Sequence, residues 1–295
     1  MKNRILKSLG WVSASADRLR LGGMKDIFRN AMDFAALRLN FPPLAAEMGG
    51  ITWRGFLRHR SFLEGIASGS YEPLTVKIFR ERTGQTDVFV DVGAHLGLYT
   101  VLAAQAGKPG MLIFAVEADS YNVQALRYNL RKFHSPNIHI IQAAASDADG
   151  SAPMLIGEST IGSSLVIGRR NIGPAVLREV KTIALDSVLP RDPVQRLLVK
   201  IDVEGAELSV LQGMAETIRR AAQVSLICEI NPSALQAGGR QPADLIRQLQ
   251  GLVLDLYFLS DAGGGLIPVD ESFRAKGNLF GVRNWPIPSD WLRPV

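Results

Sequence analysis

Residues 87–104 read DVFVDVGAHLGLYTVLAA, and the way this stretch parses decides the fold. Val88 to Val92 is a short, β-branched apolar run without polar alternation, the pattern of a strand covered on both faces in a parallel sheet. A glycine turn follows from Gly93 to Gly97, and Leu98 to Ala106 then carries the alanine and leucine content of a helix. Strand, glycine turn and helix make the corner of a doubly wound α/β fold at which the backbone approaches a ligand beside the first strand's carboxyl end. Glu117 lies twenty positions after Gly97. It closes a second buried run, Met111 to Val116, and is placed to accept hydrogen bonds from ribose hydroxyls.

The glycine spacing separates two cofactor classes. A dinucleotide fingerprint needs glycine at the first, third and sixth positions, and here these are Gly93, His95 and Leu98, so a nicotinamide-dependent oxidoreductase is the weaker reading. What remains is D-x-G-x-x-x-G, formed by Asp91, Gly93 and Gly97, in which an acid on the strand faces a cationic ligand. This pattern resembles the first motif of S-adenosylmethionine-dependent methyltransferases with a Rossmann-like fold. The plainer alternative is a turn that only packs a helix on a strand.

Composition is that of a globular enzyme: 47% hydrophobic and 21% charged residues over 295 positions, ample for a core. A lone cysteine, Cys228, excludes an intramolecular disulfide framework and fits a reducing cytoplasm. No apolar run approaches the roughly 18 residues of a membrane span. The charge is uneven: residues 1–40 hold eight bases and three acids, a net +5 that equals the formal charge of the whole chain. The remainder is neutral and gives no sign of a nucleic-acid footprint. Met1 to Gly10 reads as a basic amphipathic helix able to touch an anionic membrane surface or a polyanion, and 24–38 repeats the helical habit.

Further along, Ile51 to Trp53 is strand-like, a helix is expected near Ser61 to Ser68, and Pro73 starts another. Ser120 is the expected N-cap of a helix with Val123, Leu126, Leu130 and Phe133 on its apolar face. A third strand, Ile138 to Ile141, runs into small residues ending at Asp147, placed to reach an adenine. Residues 151–185 break the alternation and read as a β-hairpin around a glycine- and serine-rich loop carrying Arg169 and Arg170. Leu197 to Val203 is a fourth strand whose end carries Asp202, Glu204 and Glu207. Three carboxylates at a strand end need a ligand, a cation or water. One helix is expected from Leu208 to Ile218, a fifth strand at Val224 to Ile230, a helix at Pro242 to Leu252, a sixth strand at Val253 to Ser260, a loop at Gly263 to Gly265 and a last strand at Asn278 to Val282. Asn231-Pro232 lacks the second proline and aromatic residue of an amino-methylating box.

Taken together, Tyr71-Glu72-Pro73, VFVDVGAHLGLYT (88–100), Val116-Glu117-Ala118, AAASD ending at Asp147, TIALDSVL (182–189) and VKIDVEGAELSVLQG (199–213) resemble the FkbM-type methyltransferases. The resemblance covers roughly residues 65–283. It implies a Rossmann-like class I fold: a mostly parallel seven-stranded sheet, helices on both faces and an inserted β-hairpin. It implies S-adenosylmethionine held by Asp91, Gly93, Ala94, His95 and Gly97 in the turn, by Glu117 and Ala118, and by Ala144 and Asp147. The family usually has Asn where His95 stands. The reaction implied is O-methylation of a small-molecule or glycan acceptor, such as a sugar or secondary metabolite. Asp202 and Glu204 are the candidates for the base, or for ligands of a divalent cation, and Mg²⁺ stays open because hard cations prefer oxygen. The expected organisation is a basic arm and preamble (1–68), a methyltransferase domain (69–285) and a tail (286–295). A catalytically silent module docking through its basic arm is the remaining rival.

Overall fold

A computed structural model describes residues 31–36, 38–39, 41–48, 50–157, 163–166, 175–252, 254–260 and 264–292. The amphipathic helix expected at Met1–Gly10, most of the basic segment, and Arg169 and Arg170 lie outside the described residues. Residues 31–36 are helical, as the 24–38 reading expects. The chain divides into two compact units, residues 1–71 and 72–295.

In the first unit, β1 (Leu44–Met48) pairs antiparallel with β2 (Ile51–Gly55). β2 buries Ile51, Trp53 and Gly55 in strict alternation, the period of a strand with one face covered. Helix α1 (Arg60–Ser68) buries Phe62, Leu63 and Ile66. The Asp33 carboxylate accepts the amides of Leu57 and Arg58 at 2.7 and 3.1 Å, which fixes the chain ahead of α1. β1 was not read from the sequence, since its Ala-Ala-Glu middle lacks β-branched residues.

The second unit begins with α2 (Pro73–Thr83), its proline at the first helical position, and continues through β3 (Val88–Val92), α3 (Leu98–Ala106), β4 (Leu112–Glu117), α4 (Ser120–Leu130) and β5 (Ile138–Gln142). Then come β6 (Ala144–Ser146), β7 (Gly150–Gly157), β8 (Ala175–Ala184), β9 (Arg196–Ile201), α5 (Glu207–Gly213), α6 (Ala215–Arg220) and β10 (Gln223–Ile230). The unit ends with α7 (Pro232–Ala237), α8 (Pro242–Gly251), β11 (Asp255–Ser260), β12 (Gly265–Pro268) and β13 (Gly277–Arg283).

Among the described residues, eight strands form one sheet in the order β12, β11, β13, β10, β9, β3, β4, β5. Strands β5, β4, β3, β9 and β10 run parallel, and β13, β11 and β12 add antiparallel pairings. All five residues of β3 are buried, which is why its sequence shows no polar alternation. The chain builds outward from β3 through β4 and β5, then returns to β3's other side with β9. Strand order therefore reverses between β3 and β9, where open α/β sheets bind ligands at their carboxyl edge.

This is the expected Rossmann-like architecture, with three corrections. The sheet has eight strands, not seven, because the segment read as a loop around Gly265 pairs with β11 from Ser260↔Gly265 to Tyr257↔Pro268; four residues are too few to show a period. The helix expected at 208–218 is two, broken at Met214, whose φ of −127° is not helical. Asp119, not Ser120, caps α4, its carboxylate accepting the Tyr121 amide at 2.9 Å; aspartate caps as well as serine does. The inserted hairpin is present as β7 and β8, joined by β6 into a separate three-stranded sheet. Trp285 and Trp291 are both buried. They flank the Arg82 guanidinium at 5.0 and 4.9 Å, a cation–π arrangement that packs the tail on α2.

Candidate active site

The glycine turn is held from both sides. Gly93 and Ala94 donate their amides to the Val116 carbonyl at 2.9 and 3.0 Å, and Gly97 donates to Ala94 at 2.8 Å. Gly93 has φ +78°, and a Cβ there would stand 1.9 Å from the Asp202 carbonyl oxygen, so no side chain fits where β3 and β9 diverge. Gly97, at φ +93°, caps α3. Between them His95 adopts φ +55° and points its amide at Glu117 Oε2, 2.8 Å away.

Two buried carboxylates frame the turn. Asp91 accepts the Thr100 hydroxyl at 2.5 Å, tying the end of β3 to the first turn of α3. Burial pushes its pKa up to about 6, against the Thr100 bond and the Lys200 charge. Glu117 accepts the His95 amide on one oxygen and the Asp119 amide on the other, both at 2.8 Å. Burial raises it to about 7, while those amides pull the other way. A carboxylate offers about four lone-pair sites; these two amides and the Asn122 side chain, a further hydrogen-bond donor, occupy three. Ala118, half-buried, follows Glu117 directly.

Ala144 and Asp147 are placed differently from the rest. Ala143 donates its amide to the Glu117 carbonyl at 3.1 Å, so the segment starts at the corner. It then leaves the large sheet after Gln142 and enters the small one as β6. Asp147 is exposed and bonded by its neighbour Ser146 at 2.9 Å.

The end of β9 lies across the crevice. Asp202 donates its amide to the Val92 carbonyl at 2.9 Å, and its carboxylate receives the Lys200 ammonium at 3.2 Å. Lys200 is fully buried and also donates to Asn278 Oδ1 at 3.2 Å. Burial works against its charge, yet the carboxylates of Asp202, Glu72 and Glu229 outweigh that cost and hold its pKa above the usual lysine value. Asn278 in turn donates to Glu72 Oε1 at 2.8 Å, and the Tyr99 hydroxyl donates to Glu72 Oε2 at 2.5 Å. Glu204 sits at φ +57° and accepts Asn231 Nδ2 at 3.2 Å. Asp202, Glu204 and Glu229 each place a carboxylate oxygen within 4.8 Å of the others. Burial, with the charges of Asp202, Glu204 and Glu207 adding, raises Glu229 to about 9.

Asp91, Gly93, Ala94, His95, Gly97, Glu117 and Ala118 thus share one corner, and Asp202 and Glu204 adjoin it through the contact between Gly93 and Asp202. Sequence reasoning missed Lys200, Tyr99 and Asn278. The signal for Lys200 was present: one lysine inside the buried run Leu197 to Ile201. Tyr99 and Asn278 carry no such mark.

A family model described as "Methyltransferase FkbM domain" matches residues 91–255, more than half of the chain. The chain belongs to the FkbM methyltransferase family, and with it to the S-adenosylmethionine-dependent methyltransferases. No curated relative matches it. Among solved structures, it is similar to a putative O-methyltransferase from Klebsiella pneumoniae at 15% identity, with 76% of this chain and 84% of that one covered and a TM-score of 0.44. It is also similar to TYW2 of M. jannaschii in complex with AdoMet, at 11% identity, 81% and 84% coverage and a TM-score of 0.42. Among the described residues, no helix is long and apolar enough to cross a membrane.

The FkbM corner suits the cofactor that the family uses. The Glu117 carboxylate keeps an acceptor site for a ribose hydroxyl. The acid around Asp202 and Glu204 suits a cationic ligand, and the absence of a side chain at Gly93 lets the Asp202 end of β9 close against the turn.

Proposed function

We propose that this chain is an O-methyltransferase acting on a hydroxyl of a sugar, glycan or secondary metabolite. The observation that carries this reading is the placement of two half-buried carboxylates, Asp202 and Glu204, beside the glycine turn at the point where strand order reverses. In it, Asp91, Gly93, Ala94, His95 and Gly97 shape the pocket for the methionine part, Glu117 and Ala118 hold the ribose, and Ala144 and Asp147 border the adenine. When bound, S-adenosylmethionine supplies an electrophilic methyl carbon on a sulfur that departs with the bonding electrons. The chain itself aligns the acceptor oxygen, and alignment alone contributes several kcal/mol. A hydroxyl is a poor nucleophile until its proton is removed, and Asp202 and Glu204 are the groups positioned to handle that proton.

The test is transfer of labelled methyl groups from S-adenosylmethionine into fractionated cell extract. Wild type labels a product carrying a new methyl ether, and Asp202→Asn does not. A product methylated on nitrogen or carbon, or full labelling by the variant, contradicts the reading.

A further inference from the structure

We propose that Ser164 is a positioning residue for methyl transfer: by anchoring the inserted hairpin to the backbone of Glu204, it fixes that carboxylate at the acceptor side of the crevice. Residues 163–166 lie between β7 and β8 in the chain, and Ser164 pairs with Leu155 of β7, donating its amide at 3.0 Å and accepting the Leu155 amide at 2.9 Å. Its hydroxyl accepts the Val166 amide at 3.0 Å and donates to the Glu204 carbonyl at 2.7 Å. Ser164 is 1% exposed. A buried polar group with its donor and its acceptor both engaged is rigid.

Glu204 has use for such a tie. Its φ of +57° lies in the left-handed region, which a residue other than glycine holds where its surroundings impose it. Gly205 follows at φ +109°, where a Cβ would stand 2.8 Å from the Ala234 carbonyl oxygen, so the turn is pressed against α7. Asn231, the N-cap of α7, donates to Glu204 Oε2 at 3.2 Å. Ser164 thus holds the main chain of Glu204 from the hairpin side, while Asn231 holds its carboxylate from the end of β10. Val166 carries the hairpin on to the far end of α7, its Cγ2 3.3 Å from where a Cβ on Gly238 would stand.

The topology separates this anchor from the cofactor corner. Glu204 and Asn231 follow β9 and β10, whereas Glu117 ends β4, and β3 lies between β9 and β4. Ser164 therefore acts on the side of the crevice away from Glu117, the side left for the acceptor. Removing its hydroxyl frees the Glu204 main chain and leaves the Glu117 corner as it is. A reacting group misplaced by about 1 Å loses on the order of a hundredfold in rate. The inference rests on the reading of Glu204 as a group that handles the acceptor's proton.

The experiment compares wild type, Ser164→Ala and Ser164→Thr as full chains. Calorimetric titration with S-adenosylmethionine counts cofactor sites and gives their affinity, and labelled methyl transfer into one fixed cell-extract fraction gives turnover per cofactor site and KM for S-adenosylmethionine. Ser164→Ala is expected to keep wild-type cofactor affinity and KM and to lose roughly tenfold to a hundredfold in turnover per site. Ser164→Thr keeps the hydroxyl on a residue suited to strand pairing and is expected to recover most of that loss. A residue that served packing alone would lower Tm or the number of cofactor sites and leave turnover per site unchanged. Wild-type turnover per site in Ser164→Ala, a fall in cofactor affinity that accounts for the loss, or a threonine variant as slow as the alanine one overturns the proposal. The identity of the methylated atom reports separately on the O-methyl reading.

Discussion

The Lys200 ammonium stands 3.2 Å from Asp202 Oδ2, two residues along the same strand end, and the lysine is 1% exposed. Register explains its burial: on β9 it lies beside Asp91 of β3 and Ile227 of β10, in the middle of the sheet. Lys200→Met leaves the carboxylates of Asp202 and Glu72 without their buried counter-charge. Loss of one partner from a buried pair costs about 3–5 kcal/mol. Denaturant unfolding at neutral pH is expected to show that loss, shrinking in acid as the carboxyl groups take up protons.

Two glycines on the same unit predict opposite outcomes. Gly93→Ala sets a Cβ against the Asp202 carbonyl at a left-handed φ, and is expected to cost more than about 2 kcal/mol. Gly84→Ala, at φ −62° with nothing within 4 Å of its Cβ, is expected to be neutral or to stabilise by up to about 1 kcal/mol. Thermal unfolding of the pair measures the contrast.

Glu117 gives the apo chain a pH signature. Its pKa rises on folding from 4.5 to about 7, so the folded state binds more protons than the unfolded state between those values. Stability therefore falls as pH rises through about 4.5 to 7, by about 3 kcal/mol from this group alone. Glu117→Gln is expected to remove that part of the slope, read from unfolding midpoints across the range. An unchanged slope contradicts the burial assigned to this carboxyl.

The parts of the molecule built from local pattern were legible in the sequence. β3, α3 and the turn between them follow from an apolar run, glycines and alanine content, and Asp91, Gly93, Gly97 and Glu117 follow from spacing. What was not legible depends on long-range register. β12 exists because β11 is beside it, and β6 because β8 recruits it. Lys200 is tolerated in an apolar strand because Asn278, 78 residues later, and three carboxylates surround it. Met214 interrupts a helical pattern that its own side chain favours, so the break between α5 and α6 is imposed by packing.

Calorimetric titration of S-adenosylmethionine against three forms of the chain tests the division of labour across the crevice most directly. The account predicts binding by wild type, loss of binding in Glu117→Ala, and near-native affinity in Asp202→Asn, which is impaired only in turnover. Wild-type affinity in Glu117→Ala, or abolished binding in Asp202→Asn, would contradict it.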